Sequence, residues 1–326
     1  MNVSVEYFSR DGDAVMTRHN KFISSFFSMI GILFSCFIGF QVKADSIAEN
    51  FRGLKLNADL RLAPGKSIKD GVSLMIPAAL SHHRMEIIIS VQDVLAELGF
   101  NTLAITPSLG YDNRRWYFDC EKVIQHTNNF LFDEIDFWVD WLRNKGVMKI
   151  NLIGHSVSAN YISMYMDRRN REEISTVVLL APATRLYGQI GIDRYETRFK
   201  ISLSEVLARA DQYIAAGKGA SPMPEATDYF RCPQAKVTPD AFLSLYRDEM
   251  SQNFPNIWSS MPRPLMIVLG TSDNSYPVSL KEVKRIMRNN GLSLKIVSVE
   301  NGGHHFKGLY TETIVKAMAE FFSENR

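Results

Sequence analysis

A mostly parallel α/β sheet covered by helices on both faces is the fold class this sequence predicts. Three observations predict it. Short apolar runs that suit buried strands alternate with amphipathic helical stretches along most of the chain. One such strand, Lys149 to Ile153, is followed at once by a small-residue turn carrying Ser156 and then by a helical run from Ala159 to Met166. The rhythm breaks once, from about Tyr187 to Pro262, and then resumes.

The elements follow in order. Phe51 to Leu62 alternates loosely and reads as an early antiparallel strand, closed by the turn Ala63-Pro64-Gly65-Lys66. Gly71 to Ile76 is a buried strand, and Met85 to Leu98 a helix with Ile87, Ile88, Val91, Val94 and Leu95 on its apolar face, ended by Gly99. Asn101 to Ile105 is the next strand, and Thr106 to Asp119 a long loop. Leu131 to Asn144 is an amphipathic helix. Asp133, Glu134 and Asp136 are expected in its first turns, where the helix dipole favours anions. After the serine turn, Thr176 to Leu180 is another buried strand. The interrupting segment holds no convincing buried strand. It does hold two helix starts: Ser202-Leu203-Ser204-Glu205, read as a capping box, and Thr238-Pro239-Asp240. Strand, helix, strand and helix then close the chain at Pro264 to Leu269, Ser279 to Asn290, Leu294 to Val299 and Thr311 to Glu324.

At 326 residues and 46% hydrophobic, the chain can bury one large core. A net charge of +2 gives bulk electrostatics no hold on nucleic acid. Residues 1–44 read as a signal region. Arg18, His19 and Lys21 precede a nearly uncharged run from Phe22 to Phe40, and Val42-Lys43-Ala44 offers a cleavage site before Asp45. Met16 would start a signal of ordinary shape. The expectation is an exported chain, periplasmic or secreted, with no stable membrane insertion after cleavage; an anchor through 22–40 is the alternative. Export leaves Cys120 and Cys232, either paired or as two buried thiols.

A strand, a tight turn carrying one serine, and a helix form a nucleophile elbow. Gly154-His155-Ser156-Val157-Ser158 resembles the elbow of the α/β-hydrolase superfamily, G-x-S-x-G, with serine in the last place. The resemblance covers about Leu54 to the C-terminus. It implies an α/β-hydrolase domain over 45–326 and a helical lid insertion at about 187–262.

A serine hydroxyl needs a base, and the base needs an orienting carboxylate. In an open α/β sheet both lie beyond the carboxyl ends of other strands. Asp273 follows one strand in Gly270-Thr271-Ser272-Asp273, and His304-His305 follow the next in Asn301-Gly302-Gly303-His304-His305-Phe306. The superfamily's last loop often reads Gly-x-x-His-Phe, which implies His305 as the base and His304 as its variable neighbour. The order Ser156, Asp273, His305 is the superfamily's order.

The resemblance also implies an oxyanion hole from the backbone N–H groups of Val157 and Ala79. The loop carrying Ala79 departs from the usual His-Gly-x, reading Pro77-Ala78-Ala79. His155 is expected to point elsewhere. His82, His83 and His126 read as solvated loop histidines, since no ligand spacing joins them into a metal site, and no cofactor is expected. The aromatic residues Tyr187, Tyr195, Phe199, Tyr213, Tyr229, Phe230 and Trp258 of the insertion suggest a partly apolar pocket. The function implied is a serine hydrolase acting on a small-molecule ester or related acyl bond. The alternatives are an acyltransferase or peptidase on the same triad, or a non-catalytic binding protein on the same fold.

Overall fold

The computed structural model describes residues 2–8, 14–21, 44–183, 188–224, 227–249, 254–275, 283 and 294–325. Six strands form the parallel centre of a single sheet: β5 (Val72–Ile76), β6 (Asn101–Thr106), β7 (Ile150–His155), β8 (Ile174–Leu180), β11 (Leu265–Gly270) and β12 (Leu294–Val299). β5, β6 and β12 are buried along their whole length, as strands covered on both faces must be. An antiparallel hairpin extends each edge. β3 (Ala44–Phe51) and β4 (Leu54–Arg61) lie beyond β6, and β1 (Asn2–Phe8) and β2 (Ala14–Lys21) beyond β12. Among the described residues the sheet is therefore ten-stranded, in the order β2-β1-β12-β11-β8-β7-β5-β6-β4-β3.

The early strand corrects the sequence reading. The expected strand from Phe51 to Leu62 is the second arm of a hairpin. Its turn, Arg52-Gly53, has φ of 51° and 81°, and Phe51 pairs directly with Leu54. Two central residues at positive φ suit the twist of a two-residue hairpin. The first arm, β3, alternates between half-buried and exposed and carries too little apolar signal to be read as a strand.

Two helical layers cover the sheet. α1 (Glu86–Glu97) and α8 (Leu309–Glu324) pack Ile88, Val91, Leu95, Ile314, Met318 and Phe321 on one face. α2 (Asn128–Asn144) and α3 (Val157–Arg169) cover the other, where Phe132, Trp138, Ile162 and Tyr165 are fully buried. α2 begins a turn earlier than expected. Thr127 caps it by accepting the N–H of Phe130, so its acids stand outside the first turn. They have other partners. Asp133 pairs with Arg52 and Arg169, and Asp136 accepts from Tyr165 and Arg171. Glu134 is buried and accepts the Ser108 N–H at 2.9 Å and the Ser108 hydroxyl, tying α2 to the end of β6. Burial pushes its carboxyl up to about 7.

The insertion between β8 and β11 comprises α4 (Gly188–Phe199), α5 (Leu203–Ala215), α6 (Pro239–Leu243) and α7 (Phe254–Ser259), with a two-stranded ribbon, β9 (Thr227–Tyr229) and β10 (Cys232–Ala235), that the sequence reading did not foresee. Thr238 caps α6 by accepting the Ala241 N–H. Ser202 precedes α5 without a side-chain cap; Glu196 accepts the Leu203 N–H instead. The insertion's aromatic residues mostly pack on one another. Tyr195 touches Phe199, Phe242 and Tyr246, and Trp258 is buried and donates to Ser163 Oγ of α3. Tyr187, the apolar run 22–40 and the helix expected over 279–290, save Val283, fall outside the described residues. Among the described residues no helix is long and apolar enough to cross a membrane.

Cys120 and Cys232 are joined in a disulfide with Cα atoms 5.2 Å apart and a sequence separation of 112. It fastens the long loop after β6 to the ribbon of the insertion. A closed loop of that size stabilises by about 4–5 kcal/mol on the chain-entropy estimate. Reducing the bridge, or replacing both cysteines by serine, is expected to lower the melting temperature by roughly 10 °C, read by calorimetry with and without dithiothreitol. An unchanged transition would show that the bridge carries no net stabilisation.

Candidate active site

β7 runs between β5 and β8 at the centre of the sheet and ends where the chain turns into α3. Ser156 makes that turn with φ of 60° and ψ of −127°, a conformation that costs a non-glycine residue about 1–3 kcal/mol. Its surroundings hold it there. Its N–H donates to Leu180 O of β8 at 2.9 Å, and its carbonyl accepts the Ala159 N–H at 3.0 Å. Strand and helix approach so closely that a Cβ on Gly154 would stand 2.6 Å from Ser158 O. Only glycine fits that place.

Asp273 and His304 stand on the loops that follow β11 and β12, two adjacent strands on the β8 side of β7. The loop after β11 and the loop after β12 are stitched together by backbone. Ser272 N–H donates to Gly302 O, Thr271 N–H to Val299 O, and Asn301 N–H to Thr271 Oγ1. A Cβ on Gly270 would lie 2.3 Å from Gly302 O, so this contact too requires glycine. Asp273 and Ser156 are both buried, at 5% and 3% exposure. His304 bridges them. Its Nδ1–H donates to Asp273 Oδ2 at 2.7 Å, which leaves the Nε2 lone pair to accept the Ser156 hydroxyl at 2.8 Å. The second oxygen of Asp273 accepts the Ser275 N–H at 2.9 Å.

The residue between Asp273 and Ser156 is therefore His304, and the expectation of His305 is corrected. The cause is the next residue along. Phe306 is buried in the core beneath α1 and α8, with φ of 40° and its N–H on Gly303 O, and Thr311 Oγ1 donates to its carbonyl. With Phe306 anchored inward, His305 is turned to solvent, its ring edge-on to His304 at 5.1 Å.

His155 is also corrected. It is buried, and its Nε2–H donates to the carbonyl of His304 at 2.9 Å, so the residue before Ser156 holds the backbone of His304. Burial, followed by the neighbouring His304, pulls its imidazole down to about 3. His82, His83 and His126 are buried rather than solvated. His83 pairs with Thr106 and His126 with Tyr229, while His82 accepts the Arg84 N–H. Among the described residues no group of three His, Cys, Asp or Glu side chains could hold a metal ion.

Val157 opens α3, so its N–H is one of the donors that the helix leaves unused. The loop carrying Ala79 is drawn onto the same turn, because Ser158 Oγ donates to Pro77 O at 2.5 Å. The serine in the elbow's last place and the proline in the loop are thus partners in one hydrogen bond, which neither motif read alone could show.

No protein-family model and no curated protein matches this chain. Solved structures do. Est1E from Butyrivibrio proteoclasticus superposes with a TM-score of 0.61 at 18% identity, over 86% of this chain and 98% of that one. The esterase Pf2001 from Pyrococcus furiosus gives 0.53 at 16% identity, over 87% and 90%. An esterase domain from Rhodothermus marinus gives 0.53 at 13% identity, over 86% and 97%. The chain has the α/β-hydrolase fold.

Buried histidines make stability pH-dependent. His126 and His155 are held down to about 3 and His83 to about 4, in each case chiefly by burial. An unfolded histidine binds its proton near 6.5. Between about 3 and 6.5 the unfolded chain therefore holds more protons, and stability rises with pH through that window. The melting temperature is expected to fall steadily as pH drops from 6.5 to 4, and less steeply in His126→Asn than in the parent. Equal slopes would remove His126 from the cause.

Proposed function

We propose that the protein is an exported serine hydrolase that cleaves a carboxylic ester through an acyl-enzyme. The observation that carries this reading is the unbroken chain Asp273–His304–Ser156, with Ser156 held in a strained turn at the head of α3.

The steps follow from that geometry. Ser156 Oγ attacks the ester carbonyl carbon while His304 Nε2 takes its proton. Asp273 holds the imidazole in the tautomer that accepts, and stabilises the imidazolium once it forms. The carbonyl oxygen becomes an oxyanion, facing the N–H groups of Val157 and Ala79. As the tetrahedral species collapses, the C–O bond to the leaving alcohol breaks and His304 returns its proton to that oxygen. Water, deprotonated by His304, then attacks the acyl-enzyme and frees the acid and Ser156. A binding protein would have no use for a strained serine hydrogen-bonded to an oriented imidazole, which favours the catalytic reading over the non-catalytic one.

The insertion, fastened by the Cys120–Cys232 bridge, serves in this reading as the wall and lid of the substrate pocket. The bridge also suits an oxidising compartment and so supports export. Cleavage after Ala44 would take β1 and β2 with the signal region and leave β12 at the edge of the sheet.

Three expected outcomes test the proposal. A fluorophosphonate should label the protein on Ser156, and Ser156→Ala should abolish labelling while the fold is kept. His304→Ala should lower kcat on p-nitrophenyl acetate by ~10⁴-fold, and His305→Ala by no more than ~10-fold; the reverse ranking would return the base to His305. N-terminal sequencing of the exported protein should begin at Asp45, and a chain retaining 22–40 in the membrane fraction would point to an anchor instead.

A further inference from the structure

The Pro77–Ser81 loop, which carries the Ala79 N–H, lacks the glycine that usually gives such a loop its freedom, and Leu80 sits in the left-handed region at φ of 61°. A strained loop persists only when its surroundings over-determine it. Two side chains from outside do so. At its start, Ser158 Oγ of α3 donates to Pro77 O at 2.5 Å. At its end, the Arg114 guanidinium spreads over two segments at once. Nη2 donates to Ser81 O at 2.8 Å and Nη1 to Leu80 O at 3.4 Å, while Nη1 also reaches Trp116 O at 2.8 Å and Nε reaches Pro107 O at 2.6 Å.

Further groups of the loop are held as well. Ser81 donates its N–H and hydroxyl to Ala78 O, and the Phe118 N–H donates to Leu80 O at 2.8 Å. The loop is thus fixed at both ends, through Pro77 O to α3 and through Leu80 O and Ser81 O to the long loop after β6, while Ala78 O is held within the loop by Ser81. That long loop is itself fastened to the insertion by the Cys120–Cys232 bridge.

An oxyanion donor works only when it stands within about 2.7–3.1 Å of the developing charge, and a misplacement of ~1 Å costs ~100-fold in rate. We propose that Arg114 and Ser158 are positioning residues of the reaction, which clamp the Pro77–Ser81 loop so that the Ala79 N–H meets the oxyanion. This rests on the serine-hydrolase reading above. The planar fork of arginine suits the task, because its donors diverge in fixed directions toward several carbonyls. A lysine carries the same charge but cannot span them.

The test uses the full, disulfide-intact protein with p-nitrophenyl butyrate and with an alkyl trifluoromethyl ketone, which adds to the serine to form an oxyanion. Arg114→Lys and Ser158→Ala are each expected to lower kcat ~10–100-fold with KM changed less than ~3-fold. Each should weaken the trifluoromethyl ketone by the same factor as kcat/KM. Fluorophosphonate should still label Ser156. Methylguanidinium should restore part of the activity of Arg114→Ala. Should either arginine variant fail to fold, Ser158→Ala, which removes one hydroxyl, carries the test alone. Unchanged kcat in Ser158→Ala and Arg114→Lys would overturn the proposal, as would a rise in KM alone or a ketone affinity that does not follow kcat/KM. A parent protein that takes no label on Ser156 would instead overturn the hydrolase reading, and the clamp with it.

Discussion

The contact on which the rest depends is the one between Gly154 at the end of β7 and the backbone of the first turn of α3. Strand and helix lie so close there that a single Cβ would reach 2.6 Å from Ser158 O. The chain can turn in so little space only if Ser156 adopts a left-handed conformation, and the cost of that conformation must be met elsewhere. It is met by neighbours that are themselves parts of the sheet. The Ser156 N–H continues the β7–β8 ladder to Leu180 O, and its carbonyl starts the helix. The strain holds the hydroxyl at the top of the sheet, where the ends of β11 and β12 can reach it.

Those two ends form a single unit. Backbone bonds between the loops after β11 and β12, and the close passage of Gly270 against Gly302, fix Asp273 and His304 relative to each other. His155 fixes both relative to the nucleophile, since it precedes Ser156 in the chain and donates to the carbonyl of His304. His155 thereby couples the position of His304 to the end of β7. Its burial keeps it neutral, which suits a ring that donates one N–H to a carbonyl and, on the hydrolase reading proposed above, adds no charge beside His304.

How much of this was legible follows from the range over which each feature is determined. The central strands could be read because burial on both faces writes an apolar run into adjacent residues, as in Leu265 to Leu269. Ser156 and Asp273 could be read because each lies shortly after a largely apolar strand. The choice between His304 and His305 could not. Adjacent side chains diverge, and which one faces the serine is set by Phe306 reaching into a core built from α1 and α8, far away in sequence. β3 was missed because an edge strand with one weakly covered face needs few apolar residues. Its turn at Arg52-Gly53 was nonetheless a usable signal. The histidines His82, His83 and His126 were misjudged for the same reason as His304, since their burial comes from partners such as Asp59, Thr106 and Tyr229 that no local pattern reveals.

The two departures from the superfamily's motifs show the same limit from the other side. Read separately, Ser158 in place of the elbow's second glycine and Pro77 ahead of the oxyanion loop look like losses. In the folded chain they are donor and acceptor of one buried hydrogen bond. Proline can accept as well as any residue, and its missing N–H is no handicap where only its carbonyl is used. Serine is small enough for the close approach of α3 to β7, and its hydroxyl supplies what glycine could not. The loop has given up the flexibility of a glycine for attachment at both ends, to α3 through Ser158 and to the loop after β6 through Arg114. On the hydrolase reading proposed above, a donor set that is held rigid needs no reorganisation when charge develops on the substrate, and that is the condition under which a backbone N–H contributes most.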